Sequence, residues 1–107
     1  MIALDEFKRL NLRVGEIVGV TPIPGSARLL RVEVDLGDER RVLVAGLAMH
    51  YTPEALRGLQ VVVLANLEAA VIHGVESQGM LLGVGCVGAA PALLTVNRPV
   101  PNGTTVQ

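Results

Sequence analysis

From Leu30 to Leu36 the chain alternates without a break: Leu30, Val32, Val34 and Leu36 are apolar, and Arg31, Glu33 and Asp35 stand between them. A period of two puts the apolar set on one face of a strand and the charges on the other, so this segment reads as a strand with one dry and one wet face. The turn residues Gly37, Asp38 and Glu39 follow, and Arg41 to Leu47 returns as a second strand, which makes the pair an antiparallel hairpin. The core must be packed from aliphatic side chains. Half of the 107 residues are hydrophobic, yet there is one Tyr, one Phe and no Trp. A platform for stacking bases therefore has almost nothing to stack with.

The flanking segments extend the pattern. Residues 2 to 10 set Ala3, Phe7 and Leu10 on one side of a short amphipathic helix, too short to be stable alone. Leu12, Val14, Val18 and Val20 give a first strand, Leu12 to Val20, with Glu16 as a misfit beside Gly15, which predicts a bulge or bend. Pro22, Pro24 and Gly25 mark a loop. Thr52, Pro53 and Glu54 are a helix start, with a hydroxyl at the N-cap, proline at the first helical position and an acid near the positive end of the dipole; Gly58 stops it. The run Val61 to Ala65 fits a strand buried on both sides. A glycine-punctuated strand from Val75 to Val84, a late strand at Leu93 to Val96 and a PVPNG turn complete the chain. Three strands, a short helix and two more strands is the order of an all-β, five-stranded OB-fold barrel, here with a short N-terminal helix and a short helix between strands 3 and 4. Residues 1–107 read as a single domain of that type.

Nine basic and ten acidic side chains give a formal charge of −1, so a nucleic-acid role must rest on a local patch. From Ala69 to the last residue only Glu76 and Arg98 are permanently ionised. A solvated face would carry more charge, and the emptiness predicts a covered surface, most simply a homodimer formed through the C-terminal segments. The longest stretch without Lys, Arg, Asp or Glu, Ser77 to Asn97, contains Pro91 and several glycines and does not read as a membrane span. One cysteine and an acidic N-terminal segment without a basic-then-apolar leader point to the cytoplasm.

Enzyme chemistry finds little footing. GVGCVG, Gly83 to Gly88, matches the dinucleotide pattern, but Pro91 follows closely and no acid occurs after Glu76 to hold a ribose. His50 and His73 have no partner at a metal-ligand spacing, so neither a metal nor a cofactor is expected. Cys86, in an apolar setting without a nearby cation, reads as a buried inert thiol. Ser26 and Ser77 lack a nucleophile-elbow context. In GVESQGM, Gly74 to Met80, three adjacent polar residues interrupt an apolar stretch. Either Glu76 and Ser77 satisfy backbone donors at a strand bend, or Ser77 and Gln78 face a ligand.

These residues carry a resemblance. VVVLANLEAAVIHGVESQGMLL, with NLRVGEI near the start, HYTPEALRG in the middle and VPNGTTV near the end, resembles the tRNA-binding domain found at the C-terminus of methionyl-tRNA synthetases and as stand-alone dimeric proteins. The resemblance implies an OB fold, homodimerisation, and non-catalytic, structure-directed binding of tRNA, with an aminoacyl-tRNA synthetase as a further partner. Matched positions are Asn66, Glu76, Ser77, Gln78, Gly79 and Met80. Arg28, in PGSARLL, stands at the family's basic position at the opening of strand two, and Arg13, in NLRVG, also fits. Arg28 and Arg31 would meet phosphates with forked donors, Ser77 and Asn66 would hydrogen-bond sugar or base, and Met80 would lie against a base face.

The chain also departs from the family. Glu68, Ala70 and Val71 stand where basic residues are typical, His73 where methionine is, Ile23 where a loop histidine is common and Leu59 where a lysine is. Fewer phosphate contacts imply weaker binding, each loss reducing the salt slope by roughly 0.7 to 0.9. The alternative is a peptide- or protein-binding export chaperone of the CsaA type on the same fold. That group carries a K-Q-S-S-A-Q-like segment at strand three, where this chain reads RVLVAG.

Overall fold

A computed structural model of the chain describes residues 1–86 and 89–107. Strand β1 (Leu12–Pro22) is the spine of the molecule. Its second half pairs antiparallel with β2 (Leu30–Asp35) and its first half with β4 (Gln60–Leu64). β2 continues into the antiparallel hairpin with β3 (Arg40–Ala45), matching Val32 with Leu43 and Asp35 with Arg40. β2 shows the burial its sequence predicts, with Leu30, Val32 and Val34 inside and Arg31, Glu33 and Asp35 on the wet side.

The irregularity expected beside Gly15 and Glu16 lies two residues later. The register with β2 slips between Ile17 and Gly19, leaving Val18 as the extra residue of a bulge. One added residue changes which parity faces inward, so Ile17 before it and Val20 after it are both buried. Gly15 keeps the strand close to its neighbour, since a Cβ there would stand 2.8 Å from Leu36 Cδ2.

Between β3 and β4, helix α2 (Pro53–Leu56) starts as predicted. Thr52 Oγ1 accepts from Ala55 N–H, and Leu56 is fully buried at the end of the barrel. The N-terminal helix α1 (Leu4–Phe7) is shorter than the expected 2–10, and none of its residues is buried, so no packing extends it.

The expected strand Val75–Val84 is broken into pieces. β5 (Ala70–Ile72) and β6 (Val75–Ser77) form a two-residue hairpin through His73 and Gly74, both at positive φ (48° and 78°), as a type I′ turn requires. β7 (Met80–Leu81) then pairs with β4, completing a sheet of order β3-β2-β1-β4-β7. β8 (Gly83–Cys86) and β9 (Ala89–Leu93) form a separate hairpin, so the late strand precedes the expected Leu93–Val96. Tyr51 donates its hydroxyl to the Pro91 carbonyl (2.5 Å) and ties this hairpin to the barrel.

The core of Ile17, Val32, Val34, Leu36, Leu43, Leu56, Val61 and Val63 fills the barrel. It is wholly aliphatic, as the composition requires. The chain's last residues run back along the start of β1: Val14 N–H donates to Thr104 O (2.8 Å), Gly103 N–H to Val14 O (2.6 Å) and Val106 N–H to Leu12 O (2.8 Å). The Gln60 amide clasps this segment through Val100 and Asn102.

Candidate nucleic-acid interface

The seam of the barrel lies between β3 and the segment from β6 to β7, and side chains close much of it. Gln78 N–H donates to Val42 O (2.8 Å), and Val42 N–H donates to Gln78 Oε1 (3.2 Å). Val44 N–H donates to Ser77 Oγ (3.1 Å), whose hydroxyl donates to Gly79 O (3.2 Å). Two ladder positions of β3 are therefore met by a hydroxyl and an amide. Ser77 and Gln78 thus satisfy backbone groups at the seam, whereas Glu76, expected to do so with Ser77, makes no side-chain hydrogen bond among the described residues. Ser77 is buried, while Glu76 and Gln78 on either side of it are exposed.

On the outer side of the seam the described residues line a cleft and two hollows. An apolar cleft of about 400 Å³ runs between Val44 to Leu47 on one side and Met80, Leu81 and Leu93 on the other, with Ser77 in its wall. Two shallower hollows share Glu76 and Gln78 as a common ridge. One, of about 380 Å³, adds Glu39, Arg40, Arg41 and Leu67; the other, of about 450 Å³, adds Arg31, Val42 and Val75.

The sequence candidates divide by location. Arg31, Ser77, Gln78 and Met80 line these depressions, with Met80 half-exposed. Arg28 lines none of them, but its guanidinium lies over Gly46, a residue of the apolar cleft. Asn66 and Arg13 lie elsewhere. Asn66 Oδ1 accepts from Asn11 N–H (2.8 Å) and its amide donates to Arg9 O (2.7 Å), pinning the N-terminal segment to the end of β4. Arg13 donates to the carbonyls of Leu36 (2.8 Å) and Gly103 (3.3 Å) and pairs with Asp38 (2.6 Å), joining β1 to the β2–β3 turn and to the final residues. The Arg13 hydrogen bond, reinforced by its positive charge, holds the Asp38 carboxyl below its ordinary range.

Other arginines are also engaged. Arg41 pairs with Glu39 and donates to the carbonyls of Ala65 and Gln78, while Arg40 stands 3.6 Å from Glu33. Arg28 and Arg31 have no carboxylate at ion-pair distance among the described residues. The four arginines Arg13, Arg28, Arg31 and Arg41 thus do not form one free cationic face. Two are held internally and two are left available on the side of the seam.

Sequence reasoning named Glu76 and Gln78 but missed the β5–β6 hairpin that leads into them. The only signal for that hairpin was His73-Gly74 between two short apolar runs, the mark of a tight turn. Val87, Gly88 and the Cys86 side chain, and with them the inert-thiol reading and the end of GVGCVG, lie outside the described residues. Among the described residues no group of three or more His, Cys, Asp or Glu is placed to hold a metal ion, and no helix is long and apolar enough to cross a membrane.

A nearly closed five-stranded barrel with two short helices, whose seam is tied by an S-Q pair, fits an OB-type module. Residues 12–105 match the family model described as "Putative tRNA binding domain", and the chain belongs to that family. It is 47% identical over 107 residues to the methionine–tRNA ligase of Methanosphaerula palustris, covering 100% of this chain and 16% of the ligase. The Thermococcus kodakarensis ligase is 49% identical over 106 residues, covering 99% of this chain and 14% of that protein. The chain therefore spans about one-sixth of the length of these curated relatives. Among solved structures, a MetRS related protein from Pyrococcus horikoshii superposes with a TM-score of 0.92 at 33% identity, over 100% of this chain and 98% of that one. The chaperone CsaA of Bacillus anthracis gives 0.89 at 29%, over 100% and 99%.

Proposed function

We propose that this chain is a non-catalytic module that binds folded tRNA as a homodimer and serves an aminoacyl-tRNA synthetase, acting in trans. The observation that carries the reading is the pair Arg28 and Arg31, cations without carboxylate partners among the described residues: Arg31 shares a hollow with Gln78, and Arg28 lies over Gly46, which lines the same cleft as Ser77 and Met80. Two forked donors, Arg31 on β2 and Arg28 in the bend two residues before that strand, meet phosphates and position the RNA, while the polar ridge and Met80 contact sugar or base. Arg13 and Asn66 contribute at one remove, by fixing the β2–β3 turn and the N-terminal segment. Exposed Val71, Val84 and Leu94 in the charge-poor part of the chain support a second copy as their cover. Retention of bulk tRNA on a filter at low salt, compared with an unstructured RNA of equal length, tests the reading. Tighter binding to the folded RNA is expected, and equal retention of both contradicts structure-directed recognition.

The apolar cleft beside Met80 favours a second reading, a CsaA-like module that takes an apolar peptide there. Such binding would resist salt, whereas phosphate contacts weaken with it.

A further inference from the structure

An exposed carboxylate on a phosphate-binding surface is unfavourable unless it meets a donor. Glu76 is exposed on β6 and is absent from the ion pairs and side-chain hydrogen bonds among the described residues. Beside it on the ridge, Gln78 is held by the backbone: Val42 N–H needs an acceptor and takes Oε1, and Nε2 makes no hydrogen bond among the described residues. The two side chains therefore present two carboxylate acceptors next to an amide donor.

Resting on the tRNA reading above, we propose that Glu76 and Gln78 read the Watson–Crick edge of an unpaired guanine. Guanine carries two adjacent donors, N1–H and N2–H, beside the O6 acceptor. The carboxylate takes both donors in a fork and Gln78 Nε2 donates to O6. Adenine, cytosine and uracil each lack a second adjacent donor on that edge, so they satisfy one carboxylate oxygen only. Edge reading of this kind requires a base freed from its helix, which is how proteins take sequence from RNA. It also suits a chain with one Tyr, one Phe and no Trp, in which hydrogen bonds must do what stacking does elsewhere. Leu67, 44% exposed in the same hollow, offers apolar ground for the base, and Arg31 borders the other side of the ridge for a neighbouring phosphate.

The test uses the full chain and two RNA hairpins differing only in the loop, one with unpaired guanines and one with inosines, which lack the N2 amino group. Wild type is expected to bind the guanine loop at least about fivefold more tightly, the lower end of what a good bidentate base contact discriminates. Glu76→Gln should weaken guanine binding, erase the preference and leave the salt slope unchanged, with an unaltered melting curve showing that the fold is kept. Equal wild-type affinity for the two loops, with tRNA still bound, overturns this inference and spares the functional reading. Tighter binding of both hairpins by Glu76→Gln also overturns it, since that is the signature of a merely repelling charge. If wild type binds neither hairpin nor tRNA, both readings fall.

Discussion

Ser77 Oγ accepts the Val44 amide proton at 3.1 Å from across the barrel seam, so a side chain stands where a ladder carbonyl would otherwise be. Ser77→Ala keeps the size of the site and removes the acceptor from a position only 6% exposed. The variant should lose roughly 1 to 3 kcal/mol, the cost of leaving a buried donor unpaired. Urea unfolding checks this, and any loss of tRNA binding should track the loss of stability, because both hydrogen-bonding functions of the hydroxyl are already used within the protein.

The same seam makes Gly79 sensitive. A Cβ there would lie 2.7 Å from the Leu64 carbonyl and 3.1 Å from Leu43 Cδ2, and φ is 154°. Gly79→Ala should therefore destabilise by roughly 1 to 3 kcal/mol. The shift is read from a thermal melt; an unchanged melting temperature would show that β7 can move away from β4 freely.

Arg13 and Asp38 supply a pH dependence with a definite sign. The folded-state pKa of Asp38 is lowered, so its contribution is present above the unfolded value of about 3.9 and is lost as pH falls through the folded one. Asp38→Asn should be less stable than wild type at neutral pH, with the two curves converging below about pH 4. Asp38 is largely exposed, so the gap is small. Denaturant midpoints against pH measure it, and a gap that widens toward acid would reverse the assignment.

Asn66 holds Asn11 N–H and Arg9 O with one amide. Asn66→Ala should release the N-terminal segment while the barrel stays folded. Hydrogen exchange at the Asn11 amide reports it: faster exchange there, with Val32 and Val63 still protected, is the expected pattern.

The β2–β3 hairpin, the α2 cap and the doubly buried β4 were legible because each rests on local rules: alternation, a hydroxyl before proline, and an apolar run of strand length. The β5–β6 hairpin was not, since Ala70 to Ile72 is too short for alternation to speak and its only mark is the His73-Gly74 turn. Arg13 looked like a free cation because its partners, the Leu36 and Gly103 carbonyls and Asp38, are distant in sequence and meet it only in the fold. For the polar interruption at Ser77 and Gln78, two roles were open from sequence. Ser77 takes the backbone-satisfying one, and Gln78, to which the sequence did not assign it, shares it by accepting from Val42 N–H.

The salt dependence of tRNA binding by wild type and by the Arg28→Ala/Arg31→Ala variant tests the central claim most directly. Each phosphate contact contributes roughly 0.7 to 0.9 to the slope of log K against log salt, so the double variant should lose about 1.4 to 1.8 of the wild-type slope while Arg13→Ala loses stability instead. Identical slopes for wild type and the double variant, or no tRNA bound by wild type at low salt, would contradict the account.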